Sequence, residues 1–400
     1  MIFKTSEVIK PLETCVCCGG KNLEFVIDLT NQPLANSYLK DQAESELSFP
    51  LQLNYCKDCT HLQLSHVVHP DYLFKNYLYV SGTSKTLREY FDWFAEFVSN
   101  TITIPETNNI LDIACNDGSQ LNSFKKLGYN TYGIDPAENL FELSSKEHTV
   151  ICDYLTKENV KSFGVKFDAI VAQNVFAHND YPEQFLLACK EVLTDKGCMY
   201  IQTSQANMVK NNEFDTIYHE HISFFSAKSL CTLAKRCGFN VIDIERTSVH
   251  GTSFVFVLSK TEEDRSDRLL LREDELDSGI IKEYANKCHK VVDDLNQTID
   301  KFRLDGYKII GYGAAAKGNT LLNFGEIDLD YIVDDNPLKH NLYTPGRNIL
   351  IKSPDVLLEE KETIVIIPLA WNFFDEIKKN VSLRNNNVIF VRYFPSIHIE

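Results

Sequence analysis

From about Thr83 to Lys260, short apolar runs alternate with stretches of helical spacing. Asn109-Ile-Leu-Asp-Ile113, Asn130-Thr-Tyr-Gly-Ile134, Phe167-Asp-Ala-Ile-Val-Ala172 and Cys198-Met-Tyr-Ile-Gln202 read as buried strands, with a helix at Gln120–Leu127 after the first. Strands separated by helices predict a parallel, doubly wound sheet, which binds ligands at the carboxyl ends of its strands. Ser226 is placed to cap a helix running through Arg236. Asn240–Arg246 and Ser253–Leu258 then predict two strands joined by a turn at His250-Gly251.

The C-terminal third repeats the pattern. Ile281, Tyr284, Cys288, Val291, Leu295, Ile299 and Phe302 recur at gaps of three and four, which is one helical stripe over Ile280–Phe302. A strand is expected at Gly306–Ile310, then the turn Gly311-Tyr-Gly-Ala-Ala-Ala-Lys317-Gly-Asn-Thr320. Ile332–Asp334, Thr363–Ile367 and Val388–Val391 supply further strand ends and strands. The expected architecture is α/β: a small unit over 1–75, a doubly wound unit over 76–262 and a second, smaller α/β unit over 263–400.

Composition narrows the class. A 400-residue chain with 44% hydrophobic and 24% charged residues suits two or three soluble domains. There is no run of eighteen apolar residues and no apolar core after Met1, so a cytosolic protein off the membrane is expected. A net charge of −16 repels phosphate backbones and argues against nucleic acid, while leaving room for a small anion in a local pocket. A monomer is compatible with the sequence.

Twelve cysteines in such a chain argue against a disulfide framework. Cys152, Cys189 and Cys231 read as small buried hydrophobes. Cys15 with Cys18 and Cys56 with Cys59 form two CxxC pairs, each able to present two thiolates from one turn. Four thiolates complete a tetrahedron around zinc and leave no position open, so the metal is expected to be structural. Cys17 interrupts the first pair, and His61, His66 and His69 read as surface or interface residues.

Two turns carry candidate ligand chemistry. Ala114-Cys-Asn116-Asp-Gly118 follows the first strand, with Ala114 and Asn116 where a dinucleotide fold would have glycine. Asp135 ends the next strand, 17 residues after Gly118, where an acid can accept from two ribose hydroxyls. The Gly311–Thr320 turn favours phosphate at a helix N-terminus, with Lys317 as an added positive charge. Asp334 lies 21 residues after Gly313, so an NAD(P)-dependent oxidoreductase or epimerase is the rival reading.

The terminal hairpin looks like that of class I S-adenosylmethionine methyltransferases. Pro33-Leu-Ala-Asn36, Tyr79-Val-Ser-Gly-Thr-Ser84, Asp112-Ile-Ala-Cys-Asn-Asp-Gly118, Tyr218-His-Glu-His221 and Gly311–Thr320 resemble, in this order, the C-methyltransferases of nucleotide-linked 4-keto-deoxysugars. The resemblance implies a Rossmann-like central domain holding S-adenosylmethionine through Asp112, Ala114, Asn116, Gly118 and Asp135, with Gln173 and Asn174 beside the adenosine or the methionine part. It implies methylation of sugar carbon 3 through an enolate, with His221 as the base and Tyr218 and Glu220 orienting the substrate or polarising the ketone. His219 is expected to face the interior. His178 is a second candidate for contact with the sugar or a capping residue. Tyr77 and Tyr79 read as a lid over the cofactor or as interdomain core. The C-terminal unit is implied to bind the nucleotide diphosphate near Tyr312, Lys317 and Asn319.

Overall fold

The computed structural model describes residues 8–42, 44, 46–74, 81–83, 85–102, 105–203, 208–249, 251–271 and 276–400. At the N-terminus, β1 (Ile9–Pro11), β2 (Leu23–Pro33), β3 (Ser48–Cys56), β4 (Leu62–Leu64) and β5 (His66–Val68) form antiparallel pairs. Alternation along β3 buries Phe49, Leu51, Leu53 and Tyr55 on one face.

Helix α1 (Lys85–Thr101) turns Leu87, Phe91, Phe94 and Val98 inward at helical spacing. Phe94 and Val98 pack on Ile110, Val171, Tyr200 and Val255 of the central sheet. That sheet comprises β6 (Asn109–Ile113), β7 (Asn130–Ile134), β8 (Thr149–Ile151), β9 (Phe167–Gln173) and β10 (Leu193–Thr203), with α2 (Ser119–Lys126) after β6 and α3 (Pro182–Val192) before β10. β11 (Ser223–Phe224) leaves this unit and pairs with β4, adding a fourth strand to the N-terminal sheet. After α4 (Ala227–Arg236), β12 (Asn240–Thr247) and β13 (Ser253–Ser259) close the central sheet in the order β12-β13-β10-β9-β6-β7-β8. β13 runs antiparallel to both neighbours and the remaining pairs are parallel. Strand order reverses between β6 and β9, so the crevice lies at their carboxyl ends. Ser226 caps α4 by accepting from the Ser229 amide, as expected.

Asp277 caps α5 (Ser278–Leu304) by accepting from the amides of Gly279 and Ile280. The stripe from Ile281 to Ile299 is buried and shares a core with Leu29, Leu53 and Tyr55 of the N-terminal sheet. β14 (Lys308–Tyr312), α6 (Ala316–Phe324), β15 (Tyr331–Val333), β16 (Ile351–Lys352), β17 (Ile364–Pro368), β18 (Val388–Arg392) and β19 (His398–Ile399) form a sheet ordered β16-β15-β14-β17-β18-β19. It is parallel except for the edge strand β19. β14 starts two residues later than the apolar pattern suggests. Gly306, at φ 84°, ends α5 through its amide bond to the Arg303 carbonyl, and Tyr307 still bonds back to Phe302.

Candidate active site and metal centre

Cys15 and Cys59 place their Sγ atoms 3.6 Å apart, as do Cys18 and Cys56, and all four lie within 4.8 Å of one another. A tetrahedron with Zn–S bonds of about 2.3 Å has edges of roughly 3.8 Å, so the donor set fits zinc. Cys17 is outside this group of four, beside Cys59, and donates its S–H to the Ser229 carbonyl in α4, 2.8 Å off. His61 is fully buried at the same junction, with its ring nitrogens 3.2 Å from Ser223 Oγ and 3.4 Å from Ser229 Oγ. Burial pushes its pKa down to about 3, so it is neutral. It is an interface residue, while His66 is half-buried and His69 exposed.

A cavity of about 1520 Å³ opens at the carboxyl ends of β6, β7 and β9, lined among others by Asp112, Ala114, Asn116, Asp135, Gln173 and Asn174. The turn after β6 holds Ala114 at φ 60°, Asn116 at φ 51° and Gly118 at φ 80°. Non-glycine residues thus adopt the left-handed backbone that a glycine-rich loop supplies freely, and the strain stays local to the site. A Cβ on Gly118 would also meet His148 at 3.1 Å and the Ser144 backbone at 3.3 Å. Asp135 takes the Asn116 and Ala137 amides at 2.8 Å each. Burial first, then the nearby Asp135 and Asp117 charges, hold the Asp112 carboxyl well above the usual carboxylate range. Burial also raises Asp135, against the pull of its two amides. Gln173 Oε1, Asn174 Oδ1 and His178 Nε2 are buried with no hydrogen-bond partner among the described residues. Two acids and three orphaned polar atoms around one cavity suit a ligand carrying hydroxyls, an amine and a carboxylate, which S-adenosylmethionine does.

The chain before α1 is pinned over this turn. The Ser81 amide donates to Asn116 Oδ1 (2.9 Å) and the Gly82 amide to Asp117 Oδ2 (3.0 Å). A Cβ on Gly82 would lie 2.3 Å from Ser119 Oγ and 2.5 Å from Asp117 Oδ2, so both side chains would have to move to admit one. Asn116 therefore has part of its side chain committed to this contact. Asp117, Ser81 and Gly82 were not named individually from sequence, although Ser81 and Gly82 lie within the Tyr79–Ser84 motif and Asp117 within Asp112–Gly118. Tyr77 and Tyr79 lie outside the described residues.

Tyr218, Glu220 and His221 sit behind His178, which does line the cavity. The His178 ring stacks on Phe74 at 5.6 Å between centroids and lies 5.1 Å from that of His221. Burial pushes His178 down to about 4, so it is neutral at physiological pH. His221 Nδ1 is 2.7 Å from the Thr216 carbonyl, which can only accept, so Nδ1 carries the proton. Nε2 is then the basic nitrogen, 2.8 Å from the Tyr218 hydroxyl. The N-terminal unit braces this loop: Asn36 donates to Glu220 Oε1 at 2.6 Å, and His219 Nε2 faces the Phe49 carbonyl at 3.3 Å. His219 is thus turned to the interior, as expected.

The C-terminal turn is arranged differently from expectation. Tyr312 is buried and donates to Asp335, and the Asn319 amide is committed to the Ala35 carbonyl at 2.5 Å. Both engage protein, and the burial that goes with these bonds is what the turn's small residues permit. Lys317 Nζ is buried without a hydrogen-bond partner among the described residues, 4.7 Å over the Trp371 ring.

Three family models match successive segments: residues 15–74 match "Putative zinc binding domain", residues 83–244 "Methyltransferase domain" and residues 248–395 "C-methyltransferase C-terminal domain". The C-methyltransferase NovU of Streptomyces niveus is 28% identical over 392 residues, covering 94% of this chain and 93% of that protein. A ubiquinone biosynthesis O-methyltransferase of Roseobacter denitrificans is 25% identical over 151 residues, 34% of this chain and 60% of its own. The plantazolicin methyltransferase BamL, solved with a triazolic desmethylPZN analog and SAH, matches 44% of this chain and 87% of its own at 14% identity and a TM-score of 0.37. No helix among the described residues is long and apolar enough to cross a membrane.

Proposed function

Because the chain belongs to the S-adenosylmethionine-dependent C-methyltransferases that join a zinc-binding domain, a methyltransferase domain and a C-methyltransferase C-terminal domain, we propose that it methylates carbon 3 of a nucleotide-linked 4-keto-deoxysugar. The observation that carries this reading is the His221 tautomer. With Nδ1–H held by the Thr216 carbonyl, Nε2 carries the lone pair, which accepts from the Tyr218 hydroxyl 2.8 Å away until a substrate proton takes its place.

S-Adenosylmethionine, when bound, supplies an electrophilic methyl group on its sulfonium. His221 Nε2 takes the proton from the carbon next to the ketone, and the electron pair of that C–H bond becomes the enolate. The Tyr218 hydroxyl, once its O–H turns from Nε2 to the ketone oxygen, or His178 at the cavity wall stabilises the negative oxygen. The neutral state of His178 suits it to donate a hydrogen bond rather than a proton. With the cofactor bound, that carbon would take the methyl group as its C–S bond breaks, the ketone re-forming and S-adenosylhomocysteine leaving as the neutral thioether. Asn36 and Glu220 keep the loop in place from the N-terminal side.

Of the three C-terminal residues, Lys317 is the one retained as a cation for the nucleotide diphosphate, since Tyr312 and Asn319 are committed to protein. The rival NAD(P) reading gains no support from the C-terminal turn, where Tyr38 and Lys339 both donate to the Ala314 carbonyl. The test is a mass-spectrometric screen of thymidine-, cytidine- and guanosine-diphosphate 4-keto-6-deoxyhexoses with S-adenosylmethionine. A gain of one methyl group on carbon 3 is expected. Methylation on oxygen, or binding of NAD but not of S-adenosylmethionine by calorimetry, overturns the reading.

A further inference from the structure

Residues 213–217 belong in sequence to the methyltransferase half, yet the C-terminal half packs them. Glu213, Phe214, Asp215, Thr216 and Ile217 are all buried. The Trp371 indole N–H donates to Asp215 Oδ2 at 2.8 Å, and the Tyr393 hydroxyl lies 3.2 Å from both that oxygen and the Leu369 carbonyl, between which it shares its one proton. The Thr320 hydroxyl in α6 donates to the Ile217 carbonyl at 3.0 Å. Between these two anchors lies Thr216, whose carbonyl takes the Nδ1–H of His221 at 2.7 Å.

A buried carboxylate is costly unless its oxygens are paired. Asp215 Oδ2 faces two donors from the C-terminal half and Oδ1 has no partner among the described residues; burial pushes the group up to about 7, opposed chiefly by the Lys317 charge. An apolar residue would fill this position more cheaply, so the carboxylate has a use beyond filling space. We infer that Asp215 is a positioning residue: it clamps the 213–217 turn to the C-terminal half and so fixes the carbonyl that sets the tautomer and aim of His221. The catalytic consequence rests on His221 being the base; the clamp itself does not.

A carbonyl can only accept, so its contact with Nδ1 selects one tautomer. At 2.7 Å, a displacement of about 1 Å ends the hydrogen bond. Nε2 would then carry the proton for part of the time, and the base would be both misaimed and partly blocked. Misplacement on that scale is worth up to about a hundredfold in rate.

The experiment uses the full-length, zinc-loaded protein with S-adenosylhomocysteine and labels histidine nitrogens with ¹⁵N. The His221 signals are identified by their loss in His221→Gln. The wild type should show one protonated Nδ1 and one bare Nε2. Asp215→Ala and Trp371→Phe should move both signals toward the average of the two tautomers, while Asp215→Asn, which keeps an accepting oxygen, should restore the wild-type pattern. Trp371→Phe removes only the indole N–H and decides the matter if Asp215→Ala does not fold. Unchanged His221 signals in folded Trp371→Phe and Asp215→Ala overturn the clamp. On a sugar nucleotide methylated in the screen, kcat should fall about tenfold or more with S-adenosylmethionine affinity unchanged. Shifted signals with unchanged kcat leave the clamp standing and remove His221 as the base.

Discussion

The molecule contains two strand–turn–helix crossings of the same design, one after β6 and one after β14. In the first, Asp135 accepts from the Asn116 and Ala137 amides, and Ala114 bonds back to the Ile134 carbonyl. In the second, Asp334 accepts from the Ala314 and Asn336 amides, and Gly313 bonds back to the Val333 carbonyl. The surroundings differ. The first opens on a cavity of about 1520 Å³. The second is covered by the N-terminal unit, with the Tyr38 hydroxyl on the Ala314 carbonyl and the Ala35 carbonyl on Asn319, and Lys339 sits 3.7 Å from Asp334. A switch point with an acid at the next strand end is therefore a joint or a cofactor site depending on what lies over it.

The largest test of this contrast is metal removal. Four-thiolate zinc contributes on the order of 10 kcal/mol to small domains, and this one braces the second crossing and the His221 loop. Cys56→Ser or chelation should release one zinc per chain, lower the melting temperature sharply and abolish methyl transfer, as read by metal analysis, calorimetry and turnover. If S-adenosylmethionine affinity fell as far as turnover, the two crossings would not be separable in this way.

Next comes the base. His221→Asn should lower kcat by about a hundredfold or more and leave S-adenosylmethionine affinity within about twofold. A variant with full turnover would remove His221 from the chemistry.

The first crossing can be damaged alone. Gly118→Ala forces a Cβ into the left-handed region and against His148, at a cost of about 1–2 kcal/mol. S-Adenosylmethionine affinity should weaken by roughly tenfold, measured by titration calorimetry. Tyr38→Phe at the second crossing removes one hydrogen bond worth about 1 kcal/mol. It should lower the melting temperature by a few degrees without changing cofactor affinity.

The remaining test is a pH dependence of stability alone. Burial pushes Asp215 up to about 7, opposed chiefly by Lys317. Unfolded aspartate ionises near about 3.9, so between these values the folded protein holds a proton that the unfolded chain has shed. The stability from this site is full below about pH 4 and is lost as pH rises toward 7, by at most on the order of 1.4 kcal/mol per pH unit. Asp215→Asn should therefore gain on the wild type over that range, with the gap levelling off above it. A gap independent of pH in paired melting curves would show that Asp215 is ionised throughout.

Much of this was legible locally. The two CxxC pairs sit where tight turns present paired thiols, and the strands at 109–113 and 130–134 and the 198–202 part of β10 follow from short runs set between helical stretches. The left-handed backbone at Ala114 and Asn116 was less legible, because neither residue advertises it as glycine would. Short edge strands such as β16 and β19 carry no pattern long enough to read. Tyr312 and Asn319 were placed at a ligand by the family resemblance, with a glycine-rich turn before a helix as the local signal. That signal is about backbone shape and contains nothing on which neighbour covers the turn.

The sequence by itself determined the local chemistry: four thiols in two turns, an acid after each second strand, and a Tyr-His-Glu-His run at the rim of the central sheet. Those are properties of spacing, which the chain carries from residue to residue. Only the tertiary structure decided which crossing stays open and what aims His221. Both depend on contacts between segments far apart in the chain, Tyr38 with Ala314 and Trp371 with Asp215. Such contacts form when separate hydrophobic faces bury against one another, and no periodicity within either segment encodes its partner.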